Sequence, residues 1–230
     1  TNNETLVSIS SLDKDKNYSK GVAIGSILDT DENSHLEVVR YSEGSNAWKF
    51  LHLPYVTGST IFSRLAMVLV SFIKSPRNYF KIYLVNSWAK KTVTLLFMQT
   101  LDSTLRFKRT IFGLMGSRIS TGKKPTPFIK ESVQLIKEYA KAVNGVSTSF
   151  ALETIAGIPS TAHILGGAVM GKNPSEGVID KNNNVFGYKN LYIIDGAMIS
   201  SNPGVNPSLS ITAIAERAMD QIPAKVNQDR

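Results

Sequence analysis

Leu191-Tyr192-Ile193-Ile194-Asp195-Gly196 and, beyond it, Gly204-Val205-Asn206-Pro207-Ser208 are the stretches whose reading decides the fold. The first is an apolar run ending in Asp-Gly, which predicts a buried strand closing on a turn. The second opens an amphipathic segment, with Leu209, Ile211, Ile214, Ala215 and Ala218 at helical spacing up to about Asp220. Asn206 or Ser208 is placed to cap that helix, with Pro207 at its start. The tail therefore reads strand, loop, helix, and presents a helix N-terminus at the strand's C-terminal edge. Open α/β sheets bind ligands at that edge. Free N–H groups and the helix dipole there favour negative charge, so a phosphate or an electron-rich ring edge would suit it. A plain βα unit without a ligand has the same pattern.

Working backwards, Thr161-Ala162-His163-Ile164-Leu165-Gly166-Gly167 sets one of only three histidines before a glycine pair. Such glycines let backbone approach backbone, or a flat ligand, closely. Taken alone, a histidine in that setting is more often structural than catalytic. Residues 126–143 predict a helix, with Thr126 as cap, Pro127 in its first turn, and Ile129, Val133, Ile136, Ala140 and Val143 on one face. Asn144-Gly145 stops it. Thr92 to Thr100 is a β-rich apolar run that predicts a central strand. Asp102-Ser103 predicts a turn, and Leu105 to Arg109 predicts a half-exposed strand pairing back on it. His35 to Tyr41 also reads as a strand, and Val22 to Leu28 as a short one. Ile61 to Ile73 predicts a helix apolar almost all round, buried in a core or covering a hydrophobic substrate as a lid. The fold class expected is α+β or α/β, with an antiparallel sheet and helices.

Composition sets outer bounds. The chain has 230 residues, 42% apolar and 19% charged, as in globular proteins with a packed core. It has no cysteine, so disulfides and thiolate metal sites are excluded. The formal net charge is +8, but the basic residues are scattered, with short clusters at Lys90-Lys91, Lys108-Arg109 and Lys123-Lys124. A solvated basic surface explains them, and no nucleic-acid partner is expected. Ile61 to Ile73 is well short of the roughly 20 residues of a membrane span. The chain opens Thr1-Asn2-Asn3-Glu4 without an initiator methionine, which points to a start within a longer protein or after processing.

The tail from Thr161 to Met219 resembles the C-terminal signature of the glucose–methanol–choline (GMC) oxidoreductases. The matching blocks are His163 to Gly167, Gly177-Val178-Ile179-Asp180, Asn190 to Gly196, Asn206-Pro207 and Ala215-Glu216-Arg217, in that order. Asn206 in place of histidine, and Gly187 to Tyr192, are similar to the sterol (cholesterol) oxidase branch. Leu36 to Tyr41 resembles that branch's glutamate-bearing strand. Ile164, Ala168, Ala197 and Ser200 depart from the common pattern at packing positions.

The resemblance implies an FAD-dependent oxidoreductase acting on a bulky hydrophobic alcohol. Its substrate would be a 3β-hydroxysteroid, with oxygen or another electron acceptor, and peripheral membrane contact is a further partner it allows. It implies residues 1–34 as linker and edge of the FAD domain, 35–150 as substrate-binding domain, and 151–230 as the segment completing the FAD domain. His163 then matches the histidine that hydrogen-bonds the substrate hydroxyl and helps remove its proton, for which an ordinary pKa of about 6.5 is suitable. Asn206 matches its partner at the flavin edge. Glu37 matches the base that shifts the double bond after oxidation, a carboxylate whose pKa a greasy pocket would raise. Asp195 and Gly196 match flavin-contacting positions, and the backbone of Pro207 and Ser208 would face the ring. No two glycines stand two apart, so the Gly-x-Gly-x-x-Gly that seats a dinucleotide pyrophosphate is missing. The expectation is a fragment holding the substrate region and the closing strand and helix of the FAD domain. Two rivals stay open: oxidation of another bulky alcohol, and a catalytically silent steroid- or lipid-binding module.

Overall fold

A computed structural model of the chain describes residues 3–101, 103–111 and 113–223. Its strands are β1 (Asn3–Ser11), β2 (Ile24–Asp31), β3 (Ser34–Val39), β4 (His52–Pro54), β5 (Thr92–Gln99), β6 (Ser103–Arg109), β7 (Met115–Gly122) and β8 (Gly145–Phe150). Its helices are α1 (Ile61–Lys74), α2 (Pro76–Leu84), α3 (Trp88–Lys91), α4 (Lys130–Ala142), α5 (Ala151–Ala156) and α6 (Ser208–Met219). The chain divides into a sheet unit, residues 3–99 with 124–161, and a tail unit, residues 100–123 with 162–223.

In the sheet unit six antiparallel strands run in the order β2-β3-β5-β1-β8-β4. Alternation divides their side chains between two faces. One face gathers Val7, Ile9, Leu36, Val93, Leu95 and Phe97, and buries them against Ile136 of α4 and Ile129 just before it. On the other, the buried hydroxyls are paired across strands: Ser8 with Thr94 at 2.8 Å and Ser10 with Thr92 at 2.7 Å. Those pairs explain how β1 sits at the centre of a sheet with so many serines and threonines. A buried hydroxyl that keeps its partner loses little on leaving water. Residues 1–34, expected as linker and edge of the FAD domain, include Asn3–Ser11, which lies between β5 and β8. Its hydroxyl-rich sequence conceals the strand.

Thr92–Gln99 is the central strand expected, and His35 to Tyr41 overlaps β3. Leu105 to Arg109 does not pair back on Thr92–Gln99, because β1 and β3 occupy both edges of β5. β6 pairs instead with β7 as a separate hairpin of the tail unit. The expected turn at Asp102 lies outside the described residues. α4 begins at Lys130, not at Thr126. The Thr126 N–H is taken by the Asn3 side chain and the Pro127 carbonyl by Thr5, which holds that stretch against β1.

α1 forms where expected, opened by a reciprocal cap between Thr60 and Ser63. It is not a core helix. Only Arg64 and Val68 are buried, while Phe62 is 80% exposed and Leu69 and Ile73 are also exposed. Arg64 turns inward and donates to the carbonyls of Ile155 and Gly58, which ties α1 to the end of α5. Among the described residues no helix is long and apolar enough to cross a membrane.

Candidate active site

The sequence-predicted residues fall in both units. Glu37 is in the sheet unit; His163, Asp195, Gly196, Asn206, Pro207 and Ser208 are in the tail unit.

Glu37 lies on β3 and is 2% exposed. It points away from the α4 core, because Leu36 beside it points in. Its register neighbours are Ile27 on β2 and Leu96 on β5, and Leu96 is opposite Leu6 on β1. The carboxylate thus sits on a floor made partly of leucine. His35, two residues back, shares its face, with Nε2 3.5 Å from Glu37 Oε1. Met98 opposite His35 also faces Glu4, a second buried carboxylate. Sequence reasoning passed over His35 and Glu4. The period-two spacing of His35 and Glu37 carried the first signal, and the second required knowing that residues 3–11 are a strand.

Further along this face, His52 of β4 is buried between the Trp88 and Phe150 rings, at centroid distances of 5.6 and 4.8 Å. Burial lowers its pKa to about 4, so the ring is neutral at pH 7. On the α4 side of the sheet Glu153 is buried and receives hydrogen bonds from Thr5 and Ser160. Burial pushes its carboxyl up to about 7, against the smaller lowering effect of those bonds.

In the tail unit the histidine block and the Asp-Gly block are held together by backbone. Gly166 N–H donates to the Gly196 carbonyl at 3.1 Å, and Ala168 N–H to the Ala197 carbonyl at 3.0 Å. Gly166 and Gly167 have φ of 79° and 108°, conformations that L side chains rarely adopt. A Cβ on Gly196 would stand 3.0 Å from the Ile164 carbonyl, a tight contact that glycine avoids. Asp195 accepts from the Ala197 N–H at 2.8 Å and opens a single 3-10 turn, Gly196–Met198. His163 is half-buried at the start of this arrangement.

Asn183 locks the turn to the final helix. It is fully buried with φ of 67°, and its amide donates to the Ile193 carbonyl and the Met198 sulfur. Its side-chain oxygen accepts from Arg217 of α6 at 3.0 Å. The Asp180 loop, the segment before Asp195 and α6 are thereby joined at one amide.

Two expectations about the tail are corrected. Leu191 to Asp195 is not a buried strand. It makes one bridge, Asn184 to Tyr192, and is half-buried to exposed. A strand needs a ladder of partners, and among the described residues the segment pairs only with the 183–185 loop. Neither Asn206 nor Ser208 caps α6; Pro207 holds the cap position, with no side-chain hydrogen bond. Pro207 therefore gives the first turn of α6 no side-chain cap, and half-buried Asn206 and exposed Ser208 flank it. That donor set, with the glycine turns beside it, fits the electron-rich edge of a flavin ring.

The profile of the GMC oxidoreductases, described as "GMC oxidoreductase", matches residues 99–215, just over half of the chain. The chain belongs to the GMC oxidoreductase family. Proteins of this family depend on FAD. The chain is 39% identical to a cholesterol oxidase from Acinetobacter baumannii over 228 residues, 98% of this chain and 41% of that protein. It is 39% identical to a cholesterol oxidase from Mycobacterium tuberculosis over 241 aligned positions, 100% of this chain and 41% of that one. A 2-methyl-1,2-propanediol dehydrogenase from Mycolicibacterium austroafricanum is 33% identical over 91 residues, 39% of this chain. The chain therefore spans about two fifths of the length of the cholesterol oxidases it matches.

Proposed function

We propose that this chain supplies the substrate-binding sheet and part of the flavin site of an FAD-dependent alcohol oxidoreductase that oxidises a 3β-hydroxysteroid such as cholesterol to the ketone. The observation that carries the reading is the backbone-locked pairing of the His163–Gly167 block with Asp195–Ala197, joined through Asn183 to α6. It is supported by a family match over those same residues. The N-terminus of α6, the Pro207–Ser208 backbone, Asp195 and Gly196 would hold the ring of FAD. The cofactor, when bound, accepts the hydride from the carbinol carbon.

The chain's own residues would do the rest. His163 accepts the hydroxyl proton as hydride leaves, a task that matched acid–base groups accelerate by about 10²–10⁴-fold. Asn206 orients the hydroxyl by hydrogen bonding without competing for its proton. Glu37 acts as base for moving the ring double bond into conjugation with the new ketone, with His35 beside it as the nearest basic group. Oxygen or another acceptor then takes the electrons. A steroid suits the reading better than a small alcohol. The 39% identity to cholesterol oxidases runs through the sheet as well as the tail, whereas the dehydrogenase likeness covers 39% of the chain. The exposed apolar side chains of α1 would serve as lid.

Glu37→Gln in the flavin-loaded protein separates the two steps. Steroid oxidation should continue while the unconjugated ketone accumulates, as read by loss of the enone ultraviolet band. Full conjugation by the variant would remove Glu37 from the mechanism. Steroid binding with no flavin uptake and no oxidation would favour the silent lipid-binding module.

A further inference from the structure

Arg64 is a buried cation in an unfavourable place. It lies in the first turn of α1 and is only 6% exposed. That turn contains no acidic residue, and a positive charge there opposes the helix dipole. Among the described residues no carboxylate forms an ion pair with Arg64. Glu153, the acidic residue of α5, takes its hydrogen bonds from Thr5 and Ser160 instead. Only carbonyl oxygens answer the charge. Nε and one terminal nitrogen donate to the Ile155 carbonyl at 3.3 and 2.8 Å, and the other terminal nitrogen donates to the Gly58 carbonyl at 2.9 Å. These bonds hold the side chain but bring only partial negative charge. A buried ion without a counter-charge is costly.

The same guanidinium lines a cavity of about 370 Å³ within the sheet unit, with Thr57, Gly58, Ser59, Phe128 and Gly157. Among the described residues no acidic side chain lines it. A guanidinium has five N–H groups, and the carbonyls take three, which leaves one on each terminal nitrogen. Paired N–H groups of this kind suit two oxygens of a carboxylate or phosphate. Thr57 and Ser59 add hydroxyl donors, and they stand just before the Thr60 cap, at the positive pole of α1. Gly157, with φ of 62°, packs on the guanidinium: a Cβ there would stand 3.1 Å from a terminal nitrogen. Glycine leaves that side of the ion uncovered. A cationic ligand would be repelled here, and an apolar one would leave the remaining N–H groups without acceptors. A small oxyanion meets the charge, the donors and the helix end together.

We propose that the Arg64 cavity is a binding site for a small oxyanion, a carboxylate or phosphate group held by the guanidinium at the start of α1. This site goes beyond the flavin reading and needs no hydride transfer. The test is calorimetric titration of the full chain with inorganic phosphate and with acetate. Sodium chloride holds the ionic strength constant, and melting midpoints are taken in the same solutions. The expected result is saturable binding, with a midpoint that rises with phosphate, acetate or both and not with chloride. Phosphate alone in this role assigns a phosphoryl ligand, and acetate alone a carboxylate. Ser59→Asp leaves Arg64 in place and supplies an internal carboxylate at the cavity. It should weaken binding at least about tenfold. Arg64→Gln removes the cation and should abolish binding, but it also cuts the tie to α5, so Ser59→Asp decides if that variant does not fold. Equal midpoints in phosphate, acetate and chloride overturn the proposal. So does Ser59→Asp that binds as tightly as wild type.

Discussion

Two buried titratable residues give the sheet unit opposed responses to pH. Burial raises the Glu153 carboxyl from 4.5 to about 7, so the folded chain holds that proton more tightly than the unfolded chain. Glu153 therefore removes stability as pH rises from about 4.5 to about 7. Burial lowers His52 from 6.5 to about 4, so the unfolded chain takes that proton first. His52 therefore removes stability as pH falls from 6.5 to about 4. Each effect is on the order of 3 kcal/mol at full extent, and between pH 4.5 and 6.5 they nearly cancel. Glu153→Gln should raise the melting midpoint at pH 8 and leave a stability that falls on acidification. His52→Phe, which suits the Trp88–Phe150 surroundings, should leave a stability that rises on acidification down to about pH 4.5. Denaturant midpoints taken across this range check both. Parallel profiles for wild type and the two variants would mean that neither group is perturbed as described.

Among the elements, the tail depends most on one amide. Asn183 stands in the left-handed region, where asparagine and glycine are the residues that fit most readily, and joins three segments through buried hydrogen bonds. Asn183→Ala should cost about 2–4 kcal/mol by leaving those groups unpaired in strained backbone. Arg217→Met should cost less, since its guanidinium is nearer solvent. Hydrogen exchange of the Ile193 and Met198 amides reads the loss locally, and unchanged protection there would remove Asn183 from its central place.

What the sequence revealed about these elements follows from how each is stabilised. β5 announced itself as a β-rich apolar run, and β3 by a loose alternation. β1 did not, since its central place depends on hydroxyl pairs with β5 that no local pattern encodes. Leu191 to Asp195 misled in the other direction. Its composition reads as a strand, but a strand is made by neighbours and this segment has one bridge. His163 and Asn206 were singled out from the order of the linked blocks alone. The Asn183–Arg217 bond was not, although Arg217 lies in one of those blocks. His35 escaped because its role depends on facing Glu37 across one alternation of a strand.

Considered as a molecule, the chain would carry, on the proposed reading, two kinds of chemistry on separately compact units. The sheet unit has a buried carboxylate and histidine over a floor made partly of leucine, which the proposal assigns to double-bond migration. The tail unit has a histidine, glycine turns and the start of α6, which it assigns to a flavin ring and an alcohol oxygen. The measurement that bears most directly on this account is the flavin absorbance of the FAD-loaded protein on anaerobic mixing with cholesterol. The account predicts rapid bleaching, slowed at least about 100-fold by His163→Ala at unchanged flavin content. A flavin-loaded protein that no 3β-hydroxysteroid bleaches, or that bleaches equally fast without His163, would contradict it.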